Sequence, residues 1–329
     1  MIMHEMQDRF NRTIDYMRVS ITDRCNMRCI YCMPEGVDKV EHGDILRFDE
    51  TLRICEAAAA IGLKKVKITG GEPLVRKDAI QLMRGIKAIA GIEQVTLTTN
   101  GLLLERYFDE LQRVGLSGIN ISLDTLDKDL YHQITGVDAL EQVLQSAITW
   151  VQKTTVPVKI NAVPLAMTAE QLLNLVELAQ NHPIHIRFIE MMPIGYGKQY
   201  QYISEDAIKQ QIVAKYGALQ PVDATLGNGP GRYYHISGFK GKVGFISAMS
   251  HQFCHQCNRV RLTSQGFLKT CLQYDQGQDL RELVRSNITK EQLSAVIYDT
   301  IKNKPLAHQF SDYQSLEQSE ERTMNQVGG

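Results

Sequence analysis

Six stretches of the chain alternate apolar and polar residues with the two-residue period of a β-strand: 16–22, 65–69, 94–98, 118–123, 156–162 and 184–189. Between them apolar positions recur with helical spacing over 49–61, 78–90, 103–114, 140–152 and 169–180, and Gly62, Gly91 and Gly115 stand where three of these helices should stop. Strand and helix in strict alternation predict a parallel sheet joined by helical crossovers. The expected class is α/β, with an incomplete (β/α)6 barrel of TIM type over residues 1–225. Past residue 189 the rhythm breaks at Gly195, Gly197 and the run Leu226-Gly-Asn-Gly-Pro-Gly231. A smaller α+β domain is expected over 226–329, opening with antiparallel strands within 232–249 around turns at Gly238 and Gly241. From about Ala307 the sequence turns polar and predicts a mobile tail ending Gly328-Gly329.

The parity of the strands adds to this. One face of each is apolar: Met17 and Val19, Val66 and Ile68, Val95 and Leu97, Ile119 and Ile121, Val158 and Ile160, Ile184 and Ile186. The other carries Arg18, Lys65, Lys67, Thr96, Thr98, Asn120, Ser122, Lys159, Asn161, His185 and Arg187. A filled barrel places Val, Ile and Leu inward. If the apolar faces here meet the helices instead, Arg18, Lys65, Lys67, Lys159 and Arg187 point into the lumen, where unpaired burial is costly and a strongly anionic ligand resolves the cost. A sheet with one solvated face is the alternative, but crossovers of this length favour parallel strands, which are usually covered on both faces.

Composition narrows the function class. With 36 Lys and Arg against 37 Asp and Glu, the net charge of −1 argues against a nucleic-acid coat or a polybasic membrane binder. At 329 residues and 43% apolar, the chain buries a core without disulfides. The longest run of small apolar residues, 57–63, is too short to span a bilayer, and Glu5, Asp8, Arg9 and Arg12 occupy the place of a signal peptide's apolar region. A cytoplasmic location without nucleic-acid or membrane partners is expected.

Six of the seven cysteines fall into two triads. Cys25, Cys29 and Cys32 form a CxxxCxxC run just after the first strand. Three thiolates hold three irons of a four-iron cluster and leave the fourth open to a substrate or cofactor; a structural zinc site completed elsewhere is the alternative. Cys254, Cys257 and Cys271 again supply three thiolates, and nearby His251 and His255 make a Cys3His zinc site the alternative there. Against zinc stand Arg259 and Arg261, on one face of an extended segment and suited to phosphate. Gly70-Gly71-Glu72-Pro73 follows the second strand; alone it is a weak turn signal, and its glycines allow close main-chain approach. Arg18, Lys65, Lys67, Lys159, Arg187, Arg259 and Arg261 together suit a triphosphate. There is no GxxxxGK[ST] loop, so the chain does not read as a P-loop nucleotide hydrolase. Cys55, Trp150 and Met191 read as packing residues.

The CxxxCx(aromatic)C loop followed by Gly-Gly-Glu-Pro resembles the radical S-adenosylmethionine superfamily. Arg18-Val-Ser-Ile-Thr-Asp-Arg-Cys25, Lys67-Ile-Thr-Gly-Gly-Glu-Pro, Thr98-Thr-Asn-Gly, Asn120-Ile-Ser-Leu-Asp-Thr, Gly229-Pro-Gly-Arg232-Tyr, the second triad and the terminal glycine pair are similar to the GTP 3′,8-cyclase (molybdenum cofactor biosynthesis protein A) family, from about residue 10 to the end. The resemblance implies two [4Fe-4S] clusters and S-adenosylmethionine. Cys25, Cys29 and Cys32 would hold the first cluster, with Tyr31, Gly71, Ser122 and Met192 around S-adenosylmethionine. A 5′-deoxyadenosyl radical would take hydrogen from the ribose 3′ carbon of GTP, and that carbon would close onto guanine C8. Cys254, Cys257 and Cys271 would hold the second cluster beside the guanine. Arg18, Lys67, Thr98, Lys159, Arg259 and Arg261 would contact GTP, with Lys65 and Arg187 as further contacts and Gly328 and Gly329 reaching the active site. Lys67 stands where many members carry Arg, a point charge in place of a fork. The resemblance also implies an electron donor and transfer of the product to cyclic pyranopterin monophosphate synthase, and leaves a homodimer open. The competing readings are a radical enzyme that oxidises a peptide or another small molecule, whose pocket needs fewer cations, and a zinc-stabilised binding module.

Overall fold

The computed structural model describes residues 6–35, 40–165, 167–224, 226–310 and 320–328. Thr225, at the expected domain boundary, and residues 311–319 and Gly329 of the expected mobile tail lie outside them. The six expected strands form at β1 Tyr16–Ser20, β2 Lys65–Thr69, β3 Gln94–Thr99, β4 Gly118–Ser122, β5 Val158–Ala162 and β6 Ile184–Ile189. They pair in sequence order and in parallel. The crossovers are α1 Phe48–Ala60, α2 Ala79–Ala88, α3 Phe108–Val114, α4 Lys128–Thr135, α5 Leu140–Lys153 and α6 Ala169–Asn181. Helix α3 starts five residues later than its periodicity predicts, because Leu104 and Phe108 bond back to Gly101 and Glu105 as turns.

Beyond β6 come α7 Glu205–Tyr216, β7 Gln220–Val222, β8 Arg232–His235, β9 Val243–Ile246, β10 Arg259–Leu262, β11 Phe267–Lys269, β12 Gly277–Asp279, α8 Arg281–Arg285, α9 Lys290–Lys302 and α10 Met324–Val327. Strands β8 and β9 form the expected antiparallel pair. The later strands extend both edges of one 12-stranded sheet, ordered β12-β11-β10-β1-β2-β3-β4-β5-β6-β9-β8-β7. β9 joins β6 and β10 joins β1, both in parallel. The sheet is an open half-barrel whose first six strands are the expected incomplete TIM-type set.

The parity reading holds. Val19, Val66, Ile68, Val95, Leu97, Ile121, Ile160 and Ile186 are fully buried in one core that includes Ile54 and Ala58 of α1, Met83 and Ile86 of α2 and Leu175 and Val176 of α6. The alternate positions line the concave face. No helix among the described residues is long and apolar enough to cross a membrane.

Candidate active site

Because β1 to β6 run in parallel, the loops that leave them share one rim of the half-barrel. Cys25, Cys29 and Cys32 lie on the loop leaving β1. That loop leans on the C-terminus of α4, where the carbonyls of Thr135 and Ile134 accept from Arg28 N–H at 2.8 Å and Ile30 N–H at 3.0 Å. Arg28 Nη1 closes the loop from within by donating to Cys25 O and Met27 O, at 3.0 and 2.8 Å. Gly71 N–H donates to Thr22 O at 2.7 Å and Glu72 N–H to Arg24 O at 2.8 Å, so the Gly-Gly segment lies flat against the entry to the cysteine loop. A Cβ on Gly71 would come within 2.4 Å of Arg24 O. The close approach this glycine makes is to the chain's own backbone, and Gly71→Ala should displace the loop. The expected result is a loss of about 1–3 kcal/mol of stability and of any iron bound through this cysteine loop, read by urea unfolding and iron assay; wild-type values for both would sink the idea.

Glu72 ties this rim together. Its buried carboxylate accepts from Leu74 N–H at 3.0 Å, Thr99 Oγ1 at 2.9 Å and Asn100 N–H at 2.6 Å. Burial outweighs these donors and pushes its pKa up to about 7. A carboxyl that holds its proton more tightly folded than unfolded contributes stability below about pH 4.5 that is lost as pH rises through about 7. Glu72→Gln should remove that decline, so urea midpoints at pH 5 and pH 8 should differ less in the variant; an unchanged difference would count against it. Asp124, just past β4, accepts from Tyr31 Oη and Val163 N–H, both at 2.8 Å, and burial raises its pKa to about 6. Asn100 Nδ2 donates to Asn26 Oδ1 at 2.7 Å, inside the cysteine loop.

The second triad occupies the opposite rim. β10 runs parallel to β1, so Cys254 and Cys257, which precede it, lie at the end from which β1 starts. β11 runs antiparallel to β10 and returns Cys271 to the same place. The two triads therefore face each other along the lumen, separated by strands of about 16 Å. Met192, expected near S-adenosylmethionine, lines the cavity of the second triad, as do Arg259, Arg261, Lys304 and His308. His251, one of the imidazoles considered for zinc, turns to Ser250 Oγ at 2.9 Å, and His255 is exposed.

Between the rims lies the cationic band. Register places Arg261 of β10 beside Arg18 of β1, and Arg18 beside Lys67 of β2. All three are inward-facing. Burial, reinforced by the neighbouring cations, holds Lys67 and Arg261 well below their ordinary pKa values and lowers Arg18 to about 10. Lys159, lowered to about 8 by burial and Arg187, sits in register with Asn120, which is itself in register with Thr98. Arg187 is held by neutral groups, Nε donating to Asn161 Oδ1 at 2.9 Å and Nη2 to Asn120 Oδ1 at 3.0 Å. Lys65 departs from the expected set of unpaired cations: it opens β2 at the rim, and its Nζ pairs with Asp15 Oδ2 at 2.6 Å. Thr96 Oγ1, Thr98 Oγ1 and Arg261 Nη1 are buried without a hydrogen-bond partner among the described residues. The Gly-rich connection after β7 folds over the band, where a Cβ on Gly227 would meet Lys159 Nζ at 3.4 Å and one on Gly231 would meet Arg187 Cδ at 3.4 Å.

The chain's end completes the lumen. Glu320 pairs with Lys269 at the second rim, both side chains being buried. From there α10 crosses to the first rim, where Asn325 Nδ2 donates to Asp23 O at 3.2 Å. Gly328 O accepts from Arg18 Nη2 and Thr69 Oγ1, both at 3.1 Å. Gly328 has φ +87°, and a Cβ there would meet Ser20 Cβ at 3.0 Å, so glycine suits this position on both counts. Gly329 lies outside the described residues.

The thiols suit iron–sulfur ligation. Burial pushes Cys25 and Cys29 up and Cys32 up to about 12, and neighbouring thiols add to the shift at Cys29 and Cys32. Three such groups ionise together only beside a cationic core. Among the described residues no three His, Cys, Asp or Glu side chains are arranged around one metal ion, whereas a cluster takes each thiolate on a different iron. Sequence reasoning did not single out Glu72, Asp124, Asn325, Lys304 or Arg12. Glu72 and Asp124 lie inside the quoted motifs; the other three left no local signal.

Residues 19–182 match the family model of the radical SAM superfamily, and residues 184–310 match that of molybdenum cofactor synthesis C. The solved structure of Streptococcus suis SuiB bound to S-adenosylmethionine superposes with a TM-score of 0.62 over 88% of this chain and 68% of SuiB, and at 17% identity it supports the fold alone. The fold and the cysteine loop thus define a radical S-adenosylmethionine enzyme. The GTP 3′,8-cyclase of Clostridium perfringens strain SM101 is 43% identical over 326 residues, covering 98% of this chain and all of that protein. That of Pelotomaculum thermopropionicum is 40% identical over 329 residues, with the same coverage. The chain belongs to the GTP 3′,8-cyclase family.

Proposed function

We propose that this protein converts GTP to (8S)-3′,8-cyclo-7,8-dihydroguanosine 5′-triphosphate, the first step of molybdopterin biosynthesis, in a lumen with a [4Fe-4S] cluster at each end. The observation that carries this reading is the in-register row Arg261-Arg18-Lys67 between two facing thiol triads. When bound, the first cluster and S-adenosylmethionine supply the one-electron chemistry that joins the ribose 3′ carbon to guanine C8. Cys25, Cys29 and Cys32 hold that cluster, and Tyr31, Gly71 and Ser122 hold S-adenosylmethionine, whereas Met192 lies in the cavity of the second triad.

Arg18, Lys67, Lys159, Arg259 and Arg261 neutralise the triphosphate, and Thr98 offers it a hydroxyl. Arg187, preorganised by Asn120 and Asn161, adds charge without searching for a conformation. Lys65 contributes at the rim through its pair with Asp15. Cys254, Cys257 and Cys271 hold the second cluster, toward which the guanine points. Gly328 brings the end of the described tail into the lumen and offers its carbonyl to Arg18 and Thr69; Gly329, the other glycine of the expected pair, lies outside the described residues. Residues 1–225 act as the barrel and 226–329 as the part that brings the second cluster. A one-electron donor is required, and the product passes to cyclic pyranopterin monophosphate synthase in the cytoplasm.

The test is 5′-deoxyadenosine formation by anaerobically reconstituted protein with S-adenosylmethionine and a reductant. Formation should depend on GTP and accompany a nucleotide product of unchanged mass and altered chromatography. Formation indifferent to GTP would sink the substrate assignment, and none in protein carrying its clusters would sink the reaction.

A further inference from the structure

Lys304 follows α9, its side chain is buried, and its Nζ donates to Arg259 O at 3.0 Å and to Thr270 O. These carbonyls belong to two different thiol-bearing segments: Arg259 lies two residues past Cys257, and Thr270 directly precedes Cys271. Arg12 holds the remaining segment, donating from Nη1 to Cys254 O at 2.8 Å. Arg12 is joined to the Lys304 loop through Leu306 O at 2.8 Å and Pro305 O at 2.6 Å. Two buried cations from opposite ends of the sequence thus clasp all three thiol segments.

Their electrostatics differ. Arg12 is neutralised by Asp8, whose Oδ2 lies 2.6 Å from Nη2 with both side chains buried. Lys304 has hydrogen bonds but no carboxylate in ion-pair range among the described residues. A buried ammonium that lacks a counter-charge is costly. The anions available to it are the sulfurs of Cys254, Cys257 and Cys271, which line the same cavity. We propose that Lys304 is the counter-charge of the second triad, a positioning residue that clamps the Cys257 and Cys271 segments and raises the reduction potential of the cluster they hold. The inference rests on reading that triad as a cluster site. Its physical basis is that a cluster becomes more anionic on reduction, so a fixed positive charge in a dry site favours the reduced form.

The experiment isolates the second cluster in the full-length Cys25→Ser/Cys29→Ser/Cys32→Ser background, then measures iron per chain and, by a redox titration followed by EPR, its potential. Lys304→Gln should lower the equilibrium constant for reduction at least tenfold, a downward shift of about 59 mV for a one-electron couple. Lys304→Arg, which keeps the charge, should stay close to the parent. A full cluster with unshifted potential in Lys304→Gln overturns the inference and leaves the second-cluster reading standing. If Lys304→Gln loses its iron, Lys304→Arg decides: retained iron and potential support the counter-charge, and loss in both overturns it. Absence of iron from the parent background removes the second-cluster reading, and this inference falls with it.

Discussion

Replacing Lys67 by Met is expected to weaken GTP binding by about 10–100-fold, the worth of one charge-assisted hydrogen bond of about 1.5–3 kcal/mol, and at the same time to raise the melting temperature of the ligand-free protein. Both effects have one origin. Lys67 is buried beside Arg18 in register, with Arg187, Lys159 and Arg259 also acting on it, and burial with these like charges drives its pKa well down. Without an anion in the lumen the ammonium opposes folding; with a triphosphate there it becomes a ligand. Calorimetric titration with GTP and thermal unfolding of the free protein measure the two halves separately. Lys67→Arg, which keeps the charge and adds a forked donor, should keep binding close to wild type. A Met variant that melts lower and binds GTP unchanged would mean that the band is structural.

The second large effect is expected at Glu320. Its pair with Lys269 is fully buried, and its other oxygen accepts from Arg322 Nε and N–H, both at 2.8 Å. Breaking a buried pair by removing one partner leaves an uncompensated charge and costs about 3–5 kcal/mol. Glu320→Ala should therefore lose that much stability by urea unfolding and release α10, so that Gly328 O no longer meets Arg18 and Thr69. Adding Lys269→Met should recover most of the loss, because an apolar replacement for both partners removes the stranded charge. Equal destabilisation in the single and double variants would show that the tail is held by something other than this pair.

Much of this was legible in the sequence because its signals are local. Period-2 alternation in Lys65–Thr69 and Ile184–Ile189 located those strands to the residue. Parity separated a face for the helices from a face of cations. Both cysteine triads announced themselves by spacing. What was not legible depends on separation along the chain. That the triads face each other follows from β10 pairing with β1, which no local pattern encodes. Helix α4 was missed because eight residues offer only two turns of periodicity, and α7 because it buries few apolar residues, chiefly Ile208 and Ile212. Lys65 was read as a free lumen cation because Asp15, its partner, sits before β1, 50 residues away. Arg12 and Lys304 act on backbone carbonyls, which every residue has, so composition near the triad could not point to them.

The pairing of β1 with β10 also sets a timetable for synthesis. Tyr16 meets Arg259 across that edge, so one side of the first strand waits for 243 further residues to be translated. At about 5–20 residues per second this takes roughly 12–50 s, during which a short apolar strand leaves a row of N–H and C=O groups unpaired. On the ribosome, the nascent half-barrel can be sealed along that edge only when the last third of the protein emerges.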